Sequence, residues 1–513
     1  MKSSASDITL INRVWSSANR DPDKAIIHDA GRTWTWRALI MRAKCFADAI
    51  QDLSDGPNDT SVVPILVDRT GETVAAILGT LISGRGFAPL NAQQPSSRLR
   101  HCFSALHANM YISAVDADYL LDDPYFQRIR RVTPVQSRKQ MCLPSQPPEL
   151  NADHQLYVLF TSGSTGVPKG VVANSSNIEN TMMWSMDMLD WIPEDVIGCC
   201  TNFFFDISMF DVFTTFYFNI PLAIYSNPSS VIRVIDESSD FGITSVFGVP
   251  TFFSQILRSS SVAVPNLSRI RRIIAGGDFF PPAHVLGWME NWPDIAIFNV
   301  WGPTETSIVN TMHKVVDSDV PQLQQRHPAP VGTSHPRMQF RLVDESGKVL
   351  HGANQRGEIC MLGACVTDGY LGDAEKTRQA YIKLDGQRAF RTQDIGYVDE
   401  KGCLFIVGRL GSTVKVAGYR IDLGEVETAA SSLSEVHLAC GFVNELAEGH
   451  EELWLAIEPQ VQNEALDIYS IKKRLRNVLQ SFMVPKRVIV MEELPKNANG
   501  KIDRGEVMRR AIQ

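Results

Sequence analysis

The chain alternates short, continuously apolar segments with amphipathic stretches. Val62–Val67 is typical of a buried strand, and Glu72–Leu81 of a helix that follows it. Leu156–Phe160 is a second such strand and leads into a glycine-rich turn, while Arg271–Ala275 and Ile295–Val300 repeat the pattern of strand and turn. Continuously apolar strands between helices predict sheets that are covered by helices on both faces.

The pattern changes after about residue 330. Strands become shorter and glycine more frequent, as in Arg356–Gly363 and Cys403–Val407. Closely spaced strands broken by glycine are typical of antiparallel structure. We therefore expect a small barrel-like section after the helix-covered sheets.

The C-terminal part of the chain differs again. An acidic helix start at Gly424–Glu427 and a basic amphipathic helix at Ile471–Leu479 predict a small α+β unit. We place the domain boundary between residues 1–408 and 409–513. The predicted fold class is α/β: a large N-terminal domain with a small barrel-like section, and a small mobile α+β C-terminal domain.

Composition and charge exclude several functional classes. The 513 residues exceed what one hydrophobic core accommodates, and the 44% apolar and 21% charged residues are ordinary for a globular protein. A net charge of −8 disfavours nucleic-acid binding. No apolar run is long enough to cross a bilayer, no signal peptide is recognisable, and the nine cysteines include no CxxC pair. We expect a cytoplasmic enzyme that binds neither nucleic acid nor membrane.

A loop rich in glycine and hydroxyl groups, Thr161–Gly170, follows the strand that ends at Phe160. Glycines let backbone N–H groups approach an anion, and the hydroxyls and Lys169 add donors, so the loop predicts a polyphosphate site. A surface linker is disfavoured because an apolar strand precedes the loop and Val171–Val172 follows it. A P-loop NTPase is excluded because Lys169 lies between Pro168 and Gly170 and does not open a helix.

Together with that loop, a series of ordered motifs resembles the adenylate-forming superfamily of acyl-CoA synthetases, luciferases and adenylation domains of nonribosomal peptide synthetases. The motifs are Leu81–Leu90, Asn299–Thr306, Gly357–Cys360, Gly369–Gly372, Phe390–Asp394, Gly408–Arg409, Val414–Lys415, Gly418–Ile421 and Asn499–Arg504. The resemblance implies that a carboxylate attacks the α-phosphate of ATP to give an acyl-adenylate, which a thiol then captures. It also implies ATP and Mg²⁺ as cofactors.

The resemblance implies a role for each nucleotide-site residue. The positions expected to bind ATP or AMP are Thr161, Ser162, Gly163, Ser164, Thr165, Gly166, Lys169, Gly277, Asn299, Trp301, Gly302, Thr304, Asp394, Arg409 and Lys501. Trp301 is expected to stack on adenine, Asp394 to bind the ribose, and Arg409 to contact the ribose or a phosphate. Gln393 replaces the glycine usual before that aspartate, so we expect a turn of different shape. The expected catalytic residues are Lys501, Glu305 and Thr304, with Glu305 as the metal ligand.

Asp206 separates the branches of the superfamily, because members that activate amino acids carry an aspartate there to pair with the α-ammonium. A buried carboxylate needs such a cation; the alternative is a helix N-cap. The expected pocket comprises Asp206, Ile207, Phe210, Gly248, Ile274, Gly276, Val300, Ile308, Val309 and Lys501. Ile207 and Val300 should shorten it, and Gly248 and Gly276 relax it. The apolar lining predicts a small or medium aliphatic amino acid, with alanine first and valine, isoleucine, glycine or proline behind.

The expected thiol acceptor is the phosphopantetheine arm of a separate carrier protein, because no carrier module follows Asp503 in this sequence. The family's C-terminal domain rotates between the two steps, and Gly411 occupies the hinge position where aspartate or lysine is common. Basic residues Lys472, Lys473, Arg474 and Arg476 are candidates for docking the carrier. We expect a natural-product adenylation enzyme; the alternatives are a D-alanine:carrier-protein ligase of cell-wall modification, an acyl- or aryl-CoA synthetase, and a non-catalytic relative.

Overall fold

A computed structural model describes residues 10–56, 61–134, 150–161, 168–259, 266–325, 327–335, 337–410, 413–416, 419–447, 450–461, 466–479, 483–498 and 500–512. Within them, the first elements are α1 (Leu10–Arg20), β1 (Ala25–Asp29), β2 (Arg32–Thr35), α2 (Trp36–Asp52), β3 (Val63–Val67), α3 (Gly71–Ile82), β4 (Phe87–Asn91), α4 (Ser96–Ala105), β5 (Met110–Ser113), β6 (Arg130–Val132), β7 (Gln155–Thr161), β8 (Lys169–Asn174) and α5 (Ser175–Leu189).

The middle of the chain forms β9 (Ile197–Cys199), α6 (Asp206–Phe218), β10 (Leu222–Ile224), α7 (Val231–Asp240), β11 (Ser245–Gly248), α8 (Pro250–Ser259), β12 (Arg272–Ala275), α9 (Pro282–Asn291), β13 (Ala296–Trp301), β14 (Thr311–Lys314), α10 (Val320–Gln324) and β15 (Thr333–Ser334). The remainder forms β16 (Met338–Val343), β17 (Val349–Leu350), β18 (Gly357–Gly363), β19 (Gly369–Tyr370), α11 (Ala374–Ala380), β20 (Tyr381–Leu384), β21 (Gln387–Val398), β22 (Leu404–Arg409), β23 (Thr413–Val416), β24 (Tyr419–Asp422), α12 (Leu423–Ser431), β25 (Val436–Ala447), β26 (His450–Pro459), α13 (Ile468–Val478), β27 (Arg487–Val490) and α14 (Arg504–Ile512).

Two large sheets carry the N-terminal part of the fold. One has the strand order β15-β14-β13-β12-β11-β9-β10-β1-β2, and the other β19-β8-β7-β4-β3-β5-β6. In the first sheet, β10, β9, β11, β12 and β13 run parallel to one another, and β14 pairs with β13 in the antiparallel direction. The carboxyl ends of the parallel strands therefore meet at one edge, where ligands of open α/β sheets bind.

The sequence predicted these elements correctly, since β3, α3, β7, β12 and β13 lie within one or two residues of the expected bounds. Strand β3 is buried along its whole length, as a strand covered on both faces should be. Helix α3 is likewise buried at Gly71 and from Thr73 through Ile82. The predicted α/β class is confirmed.

The section expected to be barrel-like is an antiparallel sheet with the order β17-β16-β18-β21-β20, to which β22 is added along β21. Pairing of β21 with β22 places Asp394 opposite Arg409. This sheet therefore brings two of the expected nucleotide-binding residues together.

The C-terminal part is a smaller α+β unit, as predicted. It holds the sheet β25-β26-β27 and the hairpin β23-β24. Its buried apolar residues form two clusters of their own, one around Leu455 and one around Trp454, separate from the large core around Trp36 and Phe213. Among the described residues, no helix combines the length and apolar character that crossing a bilayer requires.

Candidate active site

A cavity of about 1440 Å³ lies where the carboxyl ends of the parallel strands face the C-terminal unit. Its walls include Thr161 at the end of β7, Trp301 at the end of β13, and Gly277 just after β12. The C-terminal unit closes the other side with residues that include Glu427 and Lys501. Because both units line it, the cavity depends on how they pack together.

Asp206, the first residue of α6, faces this cavity. Its Oδ2 accepts a hydrogen bond of 2.6 Å from the Thr304 hydroxyl, and its Oδ1 accepts one of 2.9 Å from the Ile207 N–H. Burial raises the pKa of Asp206, and Thr304 and the Lys501 ammonium offset part of that rise. The carboxylate thus supports the first turn of its helix and also faces the cavity, where a further cation would stabilise its charge.

Lys501 lies at the cavity in a turn that its own backbone closes. The Lys501 carbonyl accepts from the Asn497 N–H at 2.8 Å, and its N–H donates to the Asn497 side chain at 3.2 Å. A methyl group on Gly277 would lie 4.0 Å from Lys501 Cε, which shows how near the side chain passes to the end of β12. Burial raises the pKa of both Asp206 and Asp394, and the Lys501 ammonium opposes part of each rise, so its charge reaches both carboxylates.

The C-terminal unit is held in this pose by contacts with α8 and α9. Arg258 donates to Glu458 Oε1 at 2.8 Å and to the Pro459 carbonyl at 2.9 Å. The rings of His284 and His437 lie 5.1 Å apart. Next to Lys501, the Gly500 carbonyl accepts from the Thr251 hydroxyl at 2.9 Å.

Asp394 and Trp301 lie together at the expected nucleoside position. The indole N–H of Trp301 donates to Asp394 Oδ2 at 3.0 Å, and Arg409 Nε lies 3.7 Å from Oδ1. Burial raises the pKa of Asp394, with Arg409, Trp301 and Lys501 opposing the rise. Asn299 also lines the cavity, although its amide donates to the Ala329 and Pro330 carbonyls.

Gln393 adopts the backbone conformation that a glycine would. Its φ is +63°, in the left-handed region that residues with a side chain rarely enter. The Gln393 N–H donates to Glu358 Oε1 at 3.2 Å, and its carbonyl accepts from the Leu410 N–H at 2.5 Å. The glutamine therefore keeps the left-handed backbone that glycine would adopt at this position.

Glu305 lies in a single 3-10 turn, Thr304–Thr306, at the edge of the cavity. Its Oε1 accepts a hydrogen bond of 2.8 Å from the Tyr370 hydroxyl. Within the described chain, no three His, Cys, Asp or Glu side chains converge to hold a metal. A single carboxylate with spare acceptor capacity still fits Mg²⁺, which is commonly held by one or two carboxylates, phosphate oxygens and water.

The segment that follows Glu305 is a strained turn. Ser307 and Ile308 have φ values of +65° and +76°, and a β-branched residue such as isoleucine is a marked outlier there. Hydrogen bonds hold the turn: Ser307 donates to the Cys365 carbonyl at 2.8 Å, and Thr181 donates to the Ser307 carbonyl at 2.9 Å. A Cβ on Gly302 would come within 2.6 Å of the Ile308 carbonyl, so Gly302 allows the two segments to pack closely. The turn places Ile308 on the cavity wall.

Half of the expected amino-acid pocket lines the cavity. The residues that do so are Asp206, Ile207, Val300, Ile308 and Lys501, whereas Phe210, Gly248, Ile274, Gly276 and Val309 are not among its lining residues.

The two glycines expected to relax the pocket do not line the cavity, and other side chains fill the space beside each. A Cβ on Gly276 would lie 2.5 Å from Val300 Cγ2, and one on Gly248 would lie 2.8 Å from Cys200 Sγ. Phe247 and Val249, on either side of Gly248, line the cavity instead. Successive residues of a strand face opposite sides of the sheet. Phe247 and Val249 therefore share a face, and Gly248 between them lies on the other.

Several expected residues lie outside the described residues. They are Ser162, Gly163, Ser164, Thr165 and Gly166 of the phosphate loop, and the hinge residue Gly411. Their roles remain predictions. Of the loop's flanks, Thr161 lines the cavity, and Lys169 Nζ lies 5.0 Å from the centre of the Tyr370 ring. Tyr370 belongs to the motif Gly369–Gly372, but sequence reasoning gave it no role.

Comparisons with known proteins agree along most of the chain. Residues 14–371 match the AMP-binding enzyme family, and residues 425–501 match the AMP-binding enzyme C-terminal domain. A D-alanine–D-alanyl carrier protein ligase of Lactiplantibacillus plantarum is 26% identical over 96% of this chain and 97% of its own length. Bacitracin synthase 3 of Bacillus licheniformis is 25% identical over 95% of this chain, which spans only 7% of that synthase.

Solved structures share the fold. Klebsiella oxytoca NpsA in complex with 3-hydroxyanthranilyl-AMSN has a TM-score of 0.83 at 21% identity, with 98% of this chain and 99% of that chain covered. Holo-AB3403, a four-domain nonribosomal peptide synthetase bound to AMP and glycine, has a TM-score of 0.79 at 22% identity, covering 97% of this chain and 36% of that one. At such identities the similarity establishes the architecture alone.

Proposed function

The chain belongs to the AMP-binding enzyme family and is an adenylate-forming ligase, and from that premise we propose that it activates an amino acid. The substrate is a small or medium aliphatic amino acid, with alanine as the first choice. The product is an aminoacyl-adenylate, from which the aminoacyl group passes to the phosphopantetheine thiol of a separate carrier protein.

The observation that carries this proposal is the half-buried Asp206 carboxylate, which lines the cavity together with Ile207, Val300 and Ile308. Its pKa is raised by burial, so it favours a bound cation over an uncharged substrate. The α-ammonium of an amino acid is such a cation, and Lys501 supplies the opposite charge for the carboxylate. A fatty or aryl acid would leave Asp206 without a charged partner, which disfavours the CoA-synthetase alternative.

The first step exchanges one bond at phosphorus for another. A carboxylate oxygen of the amino acid attacks the α-phosphorus of ATP, the bond to the β-phosphate oxygen breaks, and pyrophosphate leaves. Negative charge grows on the oxygens around the α-phosphorus, and the Lys501 ammonium is the group that stabilises it. Holding the two substrates together supplies much of the remaining rate acceleration.

The other predicted roles concern binding. Trp301 offers a flat face to adenine, and Asp394 offers acceptors to the ribose hydroxyls. Glu305 would hold Mg²⁺, which when bound neutralises phosphate charge. Thr304, expected to donate to a phosphate, bonds Asp206 in this state, so phosphate binding requires that hydroxyl to rotate.

The second step transfers the aminoacyl group. The thiolate of the carrier's arm attacks the carbonyl carbon, a thioester bond forms, and AMP leaves. We propose that residues 409–513 act as a mobile lid that presents Lys501 for the first step and moves at Gly411 for the second. Support for the first pose comes from Lys501 on the cavity wall and from the contacts of Arg258 and His284 with the C-terminal unit.

The apolar walls set the substrate size. Ile207, Val300 and Ile308 line the cavity beside Asp206, and each is nearly fully buried. A polar side chain would lose its hydrogen bonds to water there without replacement. Ile207 and Val300, the two residues expected to shorten the pocket, both line the cavity, which supports the smaller candidates.

ATP–pyrophosphate exchange over a panel of amino acids tests the proposal. We expect exchange with alanine, valine, isoleucine, glycine or proline, and intact-mass measurement should then show a purified holo-carrier gaining one aminoacyl group. A strong preference for acidic, basic or aromatic amino acids would overturn the substrate class. Equal exchange with acids that lack an amino group would favour a CoA synthetase.

A D-alanine:carrier-protein ligase is the second candidate, because the carrier-protein ligase of L. plantarum matches over almost the full length of both chains. A ligase of this kind would perform the same two steps with D-alanine as its substrate. The D- and L-alanine arms of the panel separate the candidates, since exclusive use of D-alanine favours the cell-wall role and broader use favours a natural-product role.

A further inference from the structure

Tyr370 contacts the two charged side chains expected to bind the triphosphate and its metal. Its hydroxyl donates to Glu305 Oε1 at 2.8 Å, and its ring centre lies 5.0 Å from Lys169 Nζ. Within the described chain, Lys169 and Glu305 form no ion pair with each other. The Tyr370 side chain therefore contacts the Glu305 carboxylate through its hydroxyl and the Lys169 ammonium through its ring.

The fold fixes Tyr370 from several sides. Strand β19 pairs with β8, which places Tyr370 opposite Val171, two residues from Lys169. The Tyr370 N–H donates to the Thr377 hydroxyl at 3.0 Å, and its ring packs edge-on against Tyr381 at 5.8 Å. A Cβ on the preceding Gly369 would lie 2.6 Å from Thr377 Cγ2, so only glycine allows this approach.

The chemistry of tyrosine suits both contacts. The phenol is a hydrogen-bond donor and an ionised carboxylate only accepts, so the Tyr370 hydroxyl donates to Glu305. A hydrogen bond to an ionised acceptor is roughly twice as strong as a neutral one. The negative face of the ring attracts an ammonium within about 6 Å.

Glu305 has a second, independent anchor at its backbone. The Glu305 carbonyl accepts from the Thr367 hydroxyl at 2.8 Å and from the Thr367 N–H at 3.1 Å. The backbone thus stays in place when the Tyr370 hydroxyl is removed. Only the direction of the carboxylate depends on Tyr370.

We propose that Tyr370 is a positioning residue for the triphosphate site: its hydroxyl aims the Glu305 carboxylate at the metal, and its ring holds the Lys169 ammonium near the phosphates. This inference rests on the proposed function, because it assigns the two charged groups to ATP and Mg²⁺. Tyr370 itself touches neither the reacting carboxylate nor the α-phosphorus in this scheme.

Calorimetric titration of ATP into the full chain, in EDTA and at a series of free Mg²⁺ concentrations, separates the two contacts. Tyr370→Phe keeps the ring and loses the hydroxyl, so we expect half-saturating Mg²⁺ to rise about tenfold with ATP affinity in EDTA unchanged. Tyr370→Leu loses both, so ATP affinity in EDTA should also fall, by about threefold.

Two further variants keep the test decisive. Glu305→Gln removes the charged acceptor, so adding Tyr370→Phe to it should change the Mg²⁺ dependence no further. Tyr225→Phe is the matched control, because it loses another buried tyrosine hydroxyl bond, to Ser238 at 2.7 Å, and Tyr225 does not line the cavity.

Unaltered Mg²⁺ dependence in Tyr370→Phe would overturn the role of the hydroxyl. Identical affinities of the phenylalanine and leucine variants in EDTA would overturn the role of the ring. A wild-type chain that binds no ATP under any of these conditions would instead overturn the proposed function, and this inference with it.

Discussion

Replacing Gln393 with glycine should stabilise the protein. Gln393 has a φ of +63°, where a residue with a Cβ is strained by about 1–2 kcal/mol. Glycine removes that strain but gives the unfolded chain more freedom, which costs about 0.5–1 kcal/mol. The net expectation is a free energy of unfolding higher by about 0.75 kcal/mol, the difference between the middles of the two ranges. The affinity for ATP should not change, because both hydrogen bonds at this position use backbone atoms of Gln393.

Urea unfolding followed by tryptophan fluorescence measures this difference. The matched control is Gln387→Gly in the same strand, an exposed position whose φ is not left-handed. At Gln387 there is no backbone strain for glycine to relieve, and the added freedom of the unfolded chain remains. The free energy of unfolding should therefore fall by about 0.5–1 kcal/mol. If both glycine variants lose stability equally, Gln393 carries no backbone strain and the reasoning is refuted.

Three other predictions follow from the site and its contacts. Burial lowers the pKa of His284 to about 4 and of His437 to about 3, so the fold keeps both neutral while the unfolded chain binds protons below about pH 6.5. The free energy of unfolding should therefore fall as the pH drops from 7 toward 4, by about 2 kcal/mol per imidazole at pH 5. Urea unfolding at a series of pH values should show that this free energy depends less on pH in His284→Phe than in the wild type. An unchanged pH dependence would contradict the prediction. Lys501→Ala should reduce pyrophosphate exchange at least about a hundredfold while the urea midpoint stays the same, and retained exchange would exclude its catalytic role. Ile308→Ala opens the cavity wall, so kcat/KM in exchange assays should shift toward larger aliphatic amino acids; an unchanged order of substrates would place Ile308 away from the substrate.

The sequence was sufficient for the main strands, whereas the expected charged residues of the site came from the resemblance to a family. Continuous apolar runs located β3, β7, β12 and β13, because a strand that is buried on both faces is apolar at successive positions. Asp206 came from the resemblance to the adenylate-forming superfamily, and in the structure it lines the cavity.

The sequence was not sufficient for the contacts between side chains. Nothing in the spacing of Thr304 and Asp206 indicates that they share a hydrogen bond, because the segments that carry them are far apart in the chain. The effect of the pocket glycines is beyond the sequence for a similar reason. Whether Gly276 enlarges a cavity depends on where Val300 points, which only the packed structure determines.

The role of Tyr370 was beyond reach for another reason. Its partners, Lys169 and Glu305, come from two other segments, and the pairing of β19 with β8 that joins them is only two residues long. Such short pairings leave no periodic pattern in a sequence. A tyrosine in a glycine-rich motif gives no indication of what its hydroxyl reaches.

The central claim is that Asp206 binds the ammonium of an amino acid. Its most direct test is pyrophosphate exchange with the preferred amino acid and with the same acid lacking the amino group. The assay compares the wild type, Asp206→Asn and Asp278→Asn. Asp278→Asn is the control, because it removes a different carboxylate that lines the cavity. The account predicts that the wild type and the control prefer the amino acid by about a hundredfold or more, as for a buried charge pair. In Asp206→Asn most of that preference should disappear. A wild type that uses the two acids equally, or an Asp206→Asn variant that keeps the full preference, would contradict the account.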